Sequence, residues 1–161
     1  MLKKEYDALG KDEHIEKRVD QFCRWIRLLA EKHRLSMDEA FLDVLRHCLT
    51  SENPAILNKK FEFLYAAVLY YGYRAEPEYN SPLAEYVTRA FYEVALYFHK
   101  DAQKTKADYG RSEEAARMYY MDAITAAERY LAPENPLVET IDTLCWKNLT
   151  ALKYGCEPPQ N

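Results

Sequence analysis

A chain of 161 residues holds the material of one domain, or at most of two small ones. Hydrophobic residues make up 48% and charged residues 30%, which is enough apolar surface to close a core and excludes a disordered tail. Four glycines and seven prolines argue against collagen-like and turn-dense β-barrel designs. A net charge of −4 gives no general pull toward nucleic acid or anionic lipid, and no apolar run reaches the length of a membrane span.

Helical periodicity runs through the whole chain. Ile15, Val19, Phe22, Ile26 and Leu29 recur at spacings of three and four, so the spacing predicts a first helix with Asp12 as N-cap, fading near Arg34. Ser36 followed by Glu39 has the form of a capping box. It opens a second helix with Met37, Ala40, Phe41, Val44, Leu45 and Cys48 inward, ending at Leu49-Thr-Ser. Asn53-Pro54 starts a third helix, with the asparagine as cap and the proline where its missing amide costs nothing. From Phe61 to Tyr71 the only charge is Glu62, the pattern of a central helix covered on several sides, and Gly72 is expected to stop it. A loop over residues 73–80 follows.

Ser81-Pro82 repeats the cap-then-proline device. Leu83, Tyr86, Val87, Ala90, Phe91, Val94, Tyr97 and Phe98 then form the cleanest apolar stripe, expected to run out in the polar stretch 100–108 and to break at Gly110. Ser112 with Glu113 and Glu114 is expected to cap a fifth helix whose stripe is Ala116, Tyr119, Ala123, Ala126, Ala127 and Tyr130. Pro133 stops it. Asn135-Pro136 begins a sixth, through Leu137, Ile141, Leu144, Cys145, Leu149 and Leu152 to Gly155 and Pro158-Pro159. No segment alternates with a period of two, so no sheet is expected. The reading is all-α: one domain over 1–161, a compact array of about six antiparallel helices arranged as helical hairpins or a bundle.

The chain also resembles itself. Leu49-Thr-Ser-Glu-Asn-Pro54 parallels Leu131-Ala-Pro-Glu-Asn-Pro136, and each leads into a helix ending in Tyr-Gly. Duplication of a three-helix unit, 12–73 and 82–155, is one explanation; the other is that Asn-Pro is simply a good way to restart a helix.

Residues Tyr120-Met-Asp-Ala123-Ile124, continued by Leu131-Ala-Pro133-Glu-Asn-Pro136-Leu-Val138, resemble the second helix and inter-repeat turn of a tetratricopeptide repeat of the kinesin-light-chain style. In that family a tyrosine stands three before a small alanine at the helix crossing, and a leucine and a Pro-x-x-Pro turn lead into the next repeat. The resemblance covers about residues 110–155, with an echo over Ala40 to Tyr73, and it implies stacked helix hairpins. The segment carries one extra residue between Gly110 and Tyr120 and lacks the family's Leu-Gly pair, so no binding residue transfers. The same run is more distantly similar to the later helices of 14-3-3 proteins, although this chain is too short for that fold and shows no Arg/Arg/Tyr phosphate set.

Motifs for chemistry are sparse. Four scattered glycines exclude a phosphate-binding loop, and no serine or cysteine stands in a nucleophile elbow. Asp43 and His47, four apart, are the best metal candidates, but paired Glu-x-x-His motifs are missing. All four histidines (His14, His33, His47 and His99) are read as surface or capping residues. Cys23, Cys48, Cys145 and Cys156 have no metal-ligand spacing and are read as reduced thiols of a cytoplasmic protein without an export signal. No cofactor, no metal and no enzymatic activity are expected.

Tyrosine is the sharper signal, with 14 residues against 6 phenylalanines and 2 tryptophans. Much of it falls on apolar stripes, but Tyr71, Tyr73 and Tyr79 around the loop, with Arg74, could line a groove, since tyrosine is an anchor of protein interfaces. Trp25 and Leu28 point away from the centre of the first helix's stripe, beside Arg24 and Arg27. The functional reading is therefore a non-catalytic adaptor that binds another protein or peptide through a helix-lined surface formed by Tyr71, Tyr73, Arg74, Tyr79, Trp25, Arg24 and Arg27. Direct nucleic-acid binding and membrane association are not expected, and homo-oligomerisation is left open. The alternative is a small acidic helical inhibitor or accessory subunit, such as a mobile-element or phage anti-defence protein. It would dock on a larger, possibly nucleoprotein, complex through Glu128, Glu139 and Asp142.

Overall fold

A computed structural model describes residues 15–51, 53–54, 60–104 and 109–159. The protein is all-α. Among the described residues six helices follow one another, α1 (Ile15–His33), α2 (Met37–Thr50), α3 (Lys60–Tyr73), α4 (Pro82–Lys104), α5 (Tyr109–Tyr130) and α6 (Pro136–Lys153), and there is no strand. The chain divides into two compact units, Met1–Glu76 and Pro77–Asn161, holding α1–α3 and α4–α6 respectively.

In the first unit each helix packs against both others. Phe22, Cys23, Ile26 and Ala30 of α1 and Ala40, Phe41, Leu45 and Cys48 of α2 are buried around Phe63, Leu64, Ala66, Ala67, Val68 and Tyr71 of α3. No residue from 60 to 71 is exposed, as a helix apolar on all sides requires. Aromatic rings fix the contacts: Phe22 meets Phe63 edge-on at 5.0 Å, and Phe41 stacks on Tyr70 at 4.7 Å. Ser36 caps α2 as expected, its Oγ accepting from Glu39 N–H while Glu39 Oε1 accepts from Ser36 N–H, both at 3.1 Å.

Helix termini depart from the sequence reading in two places. Gly72 does not stop α3; the helix passes through it, and the Tyr70 carbonyl accepts from both Arg74 N–H (2.8 Å) and Ala75 N–H (3.1 Å). Glycine permits a left-handed turn but does not impose one. Instead Arg34 (φ 55°) closes α1, with Leu35 N–H reaching back to the Ala30 carbonyl at 2.8 Å. The α4 helix ends at Lys104, inside the polar stretch where it is expected to run out, but α5 already begins at Tyr109, so Gly110 and Ser112 lie within its first turn. Ser112 is therefore no cap: its hydroxyl donates to Asp101 Oδ2 at 2.9 Å, tying α5 to α4. That cross-helix bond and the burial of Ala102 and Ala116 override a glycine penalty of only about 1 kcal/mol. The expected Asp12 cap lies outside the described residues, as does the span just after Pro54 where α3 was expected to start.

The second unit is built differently. The α4 and α5 helices form a long antiparallel hairpin, with Phe98 stacked on Tyr119 and Asp101 meeting Ser112 near the closed end. The facing stripes are rich in alanine (Ala84, Ala90, Ala95 and Ala102 against Ala116, Ala123, Ala126 and Ala127), and these small side chains let the two backbones approach closely. The α6 helix returns along α5, pairing early with early and late with late on α4: Asn135 with Glu85, Asn148 with Tyr92, Cys156 with His99. Gly155 (φ 68°) closes α6, and Cys156 N–H bonds the Ala151 carbonyl at 2.8 Å. The two Tyr-Gly pairs thus take different conformations, helical at Gly72 and left-handed at Gly155.

Candidate functional site

An open cleft lies within the second unit, where the first turns of α4 and α6 diverge. Its foundation is a double-asparagine junction. Asn80 adopts φ 56°, a left-handed conformation that asparagine tolerates better than most residues. There its N–H donates to the Tyr130 carbonyl at 2.7 Å, and its Oδ1 accepts from Ala132 N–H at 3.1 Å. Asn135 is the N-cap of α6, its Oδ1 accepting from Leu137 N–H at 3.0 Å, with Pro136 in the first turn as the sequence predicts. The amide of Asn135 points the other way, donating to Asn80 Oδ1 at 2.9 Å and to Glu85 Oε1 at 3.0 Å. One side chain thereby joins the 131–135 turn, the loop before α4 and the α4 surface.

Above this junction opens a cleft of about 450 Å³ lined by Glu85, Tyr86, Arg89, Asn135, Pro136, Leu137 and Thr140. Its walls are mainly apolar, from Tyr86, Pro136 and Leu137, with Glu85, Arg89, Asn135 and Thr140 as the polar part. Arg89 lies over the Tyr86 ring with its guanidinium carbon 5.6 Å from the centroid, a cation–π contact. Thr140 Oγ1 donates to the Pro136 carbonyl at 3.1 Å. Both walls are helices, so the cleft is pre-formed.

The residues singled out from the sequence fall elsewhere. Tyr71 is 1% exposed, and its hydroxyl donates to Asp38 Oδ1 at 2.7 Å; burial and that carboxylate push its pKa far up, and it supports α3 rather than lining a groove. Tyr73 is exposed at 78% and Arg74 pairs with Asp20 at 2.7 Å, both at the end of α3. Arg24 and Arg27 are exposed on α1, and Trp25 is half covered by Phe63, while Leu28 next to them stays open to solvent. Arg27 and Arg74 both lie within electrostatic reach of Cys23, so the structure does gather these cations on one part of the first unit. Tyr79 is exposed and belongs to the second unit. Tyr71 therefore lines no groove, while Tyr73, Arg74, Arg24 and Arg27 lie on the surface of the first unit and Tyr79 on that of the second.

Asp43 and His47 do not form a metal centre. Asp43 pairs with Arg46 at 3.0 Å, and His47 Nδ1 lies 2.7 Å from the Asp43 main-chain carbonyl, leaving both side chains spent on their own helix. Among the described residues no group of three or more His, Cys, Asp or Glu is placed to hold a metal. The thiols of Cys48 and Cys145 are pushed up to about 12 by burial, which makes them poor nucleophiles, and Cys156 alone is exposed.

Sequence reasoning missed a buried polar chain in the second unit. His99, read as a surface residue, is fully buried. Its Nε2 lies 2.8 Å from the Cys156 carbonyl, which can only accept, so Nε2 carries the proton; Nδ1 then accepts from the Tyr120 hydroxyl at 2.9 Å. Asn148, also buried, donates to the Tyr92 hydroxyl at 3.0 Å and borders Tyr120. Burial holds the His99 pKa below its usual value. Nothing local in the sequence marks it: at 3.6 residues per turn His99 lies off the predicted α4 stripe, on the side that meets α6 and the residues after it.

Compared with protein-family models, curated proteins and solved structures, the chain matches none.

Proposed function

We propose that this protein is a non-catalytic interaction module that holds an extended peptide segment of another protein in the α4–α6 cleft. One observation carries the reading: a pre-formed cleft of about 450 Å³ with an amphipathic lining and a floor fixed by the Asn80–Asn135–Glu85 bonds. That volume lies in the range of specific ligand sites, about 300–1,000 Å³. Tyrosine and arginine, here Tyr86 and Arg89, are among the side chains that most often anchor interfaces.

The test is selection of a phage-displayed random dodecapeptide library on the full chain, followed by amide chemical-shift mapping with the enriched peptides. Shifts centred on Tyr86, Leu137 and Thr140, and binding lost in Leu137→Glu, support the proposal. Absence of enrichment, or shifts mapping elsewhere, refutes it.

The exposed acidic residues Glu128, Glu139 and Asp142 favour a second reading, docking of an acidic helical face on a basic partner.

A further inference from the structure

Glu85 and Arg89 stand four residues apart on α4, glutamate first, the arrangement that ordinarily gives a helix-surface ion pair. Here the pair does not form. Glu85 is drawn to the α6 cap by the Asn135 amide at 3.0 Å, and Arg89 turns over the Tyr86 ring. Among the described residues Arg89 has no carboxylate within ion-pair distance, as is also true of Arg24, Arg27 and Arg34, whereas Arg46, Arg74 and Arg117 each have one. The main-chain donors at the start of α6 are already used: Leu137 N–H goes to Asn135 Oδ1 and Val138 N–H to the Asn135 carbonyl, both at 3.0 Å. The cleft therefore offers a ligand one strong donor group. That donor is the guanidinium of a half-buried arginine, lying over an aromatic ring with no carboxylate partner among the described residues.

Resting on the peptide-cleft reading, we propose that Arg89 is the specificity-determining residue of the site, and that the occupant is a peptide carrying an aspartate or glutamate next to an apolar residue. The carboxylate takes the fork of Arg89 while the apolar neighbour lies against Tyr86, Pro136 and Leu137. The cation–π contact with Tyr86 favours one placement of the guanidinium before binding, so less side-chain freedom is lost when the pair forms. Glu85 completes the selection by repelling a second acidic group at the cleft floor, which favours a single carboxylate over an acidic run.

The probes are synthetic octapeptide pools with one fixed residue (Asp, Glu, Asn, Gln, Lys or phosphoserine) in an otherwise random aliphatic and proline background, titrated against the full chain by fluorescence polarisation. The Asp and Glu pools should bind about tenfold more tightly than their Asn and Gln isosteres, since a hydrogen-bonded charge pair contributes about a factor of ten or more. Arg89→Gln should erase that difference, and Arg89→Glu should turn the preference toward the Lys pool; both changes sit on the surface, and far-UV circular dichroism confirms that each variant is helical. Equal binding of all pools, with shifts still centred on the cleft, overturns the role of Arg89 and leaves the peptide-cleft reading standing. Tightest binding of the phosphoserine pool overturns the carboxylate assignment. If no pool binds, the inference and the reading it rests on both fall.

Discussion

Asn135 is the residue on which the second unit's junction depends, and replacing it separates two contributions. In Asn135→Ala, α6 loses its cap at Leu137 N–H, worth about 1 kcal/mol. Glu85 also loses the amide at 3.0 Å; hydrogen bonds to charged groups contribute about 1.5–3 kcal/mol, which exposure at the cleft reduces to about 1 kcal/mol. Asn80 Oδ1 keeps Ala132 N–H at 3.1 Å, so its loss is small. The alanine variant should therefore be about 2 kcal/mol less stable. Asn135→Ser keeps a capping oxygen but has no amide to reach Glu85, and should lose about half as much. Trp25 lies in the first unit and Trp146 in the second, so in a Trp25→Phe background tryptophan fluorescence reports the second unit alone. For a unit of this size 1 kcal/mol moves the midpoint by about 4–8 °C, and the alanine variant should melt roughly 8–16 °C lower. A serine variant as stable as the parent would show that the bond to Glu85 adds nothing. An alanine variant equally stable would refute the whole account of the junction.

The remaining expectations follow from the same contacts. Because Asn135→Ser frees Glu85 to pair with Arg89, it should weaken binding of the Asp and Glu pools severalfold, and unchanged binding would show that Arg89 is not competed for. The pKa of His99 is lower in the native state than its ordinary 6.5, so the unfolded chain binds more protons below that pH. Its contribution to stability is fully present above about pH 6.5 and is lost as pH falls toward the lowered native value. Urea midpoints of the second unit at pH 7.5 and 5.5 should show this decline, and His99→Gln should flatten it. In Tyr71→Phe the rings on Phe41 remain while Asp38 loses its 2.7 Å donor; the first unit should lose about 1 kcal/mol, read from Trp25 fluorescence in a Trp146→Phe background.

Most of the fold was readable because it depends on signals local in sequence. The capping box at Ser36, the Asn135-Pro136 start and the Gly155 stop act within one helical turn, and each is found where the residues place it. The stripes predicted the core of α5, with Ala116, Tyr119, Ala123, Ala126, Ala127 and Tyr130 all buried. What failed depended on residues distant in sequence. Ser112 looks like a cap until Asp101 is brought to it from the neighbouring helix. Tyr71 looks like an anchor until Asp38 is found within reach of its hydroxyl. His99 among lysine and aspartate neighbours reads as exposed, and only the approach of Tyr120 and the Cys156 carbonyl makes its burial affordable. The cleft was hidden for the same reason, since Glu85 and Asn135 are separated by 50 residues.

The ion pair that a local rule predicts between Glu85 and Arg89 is the clearest point where tertiary structure overrides the helix. An exposed pair of that spacing contributes only about 0.3–0.5 kcal/mol, whereas the Asn135 amide offers Glu85 a bond that also fixes where α6 starts. The stronger use of the carboxylate wins, and the displaced arginine settles on the nearest aromatic ring. Closing the junction and exposing Arg89 are consequently one event: the bond that holds the ends of α4 and α6 together also prevents the cleft from neutralising itself. A cleft assembled this way keeps its cation available without burying an unpaired charge, because the guanidinium is shared between ring and solvent until a carboxylate arrives.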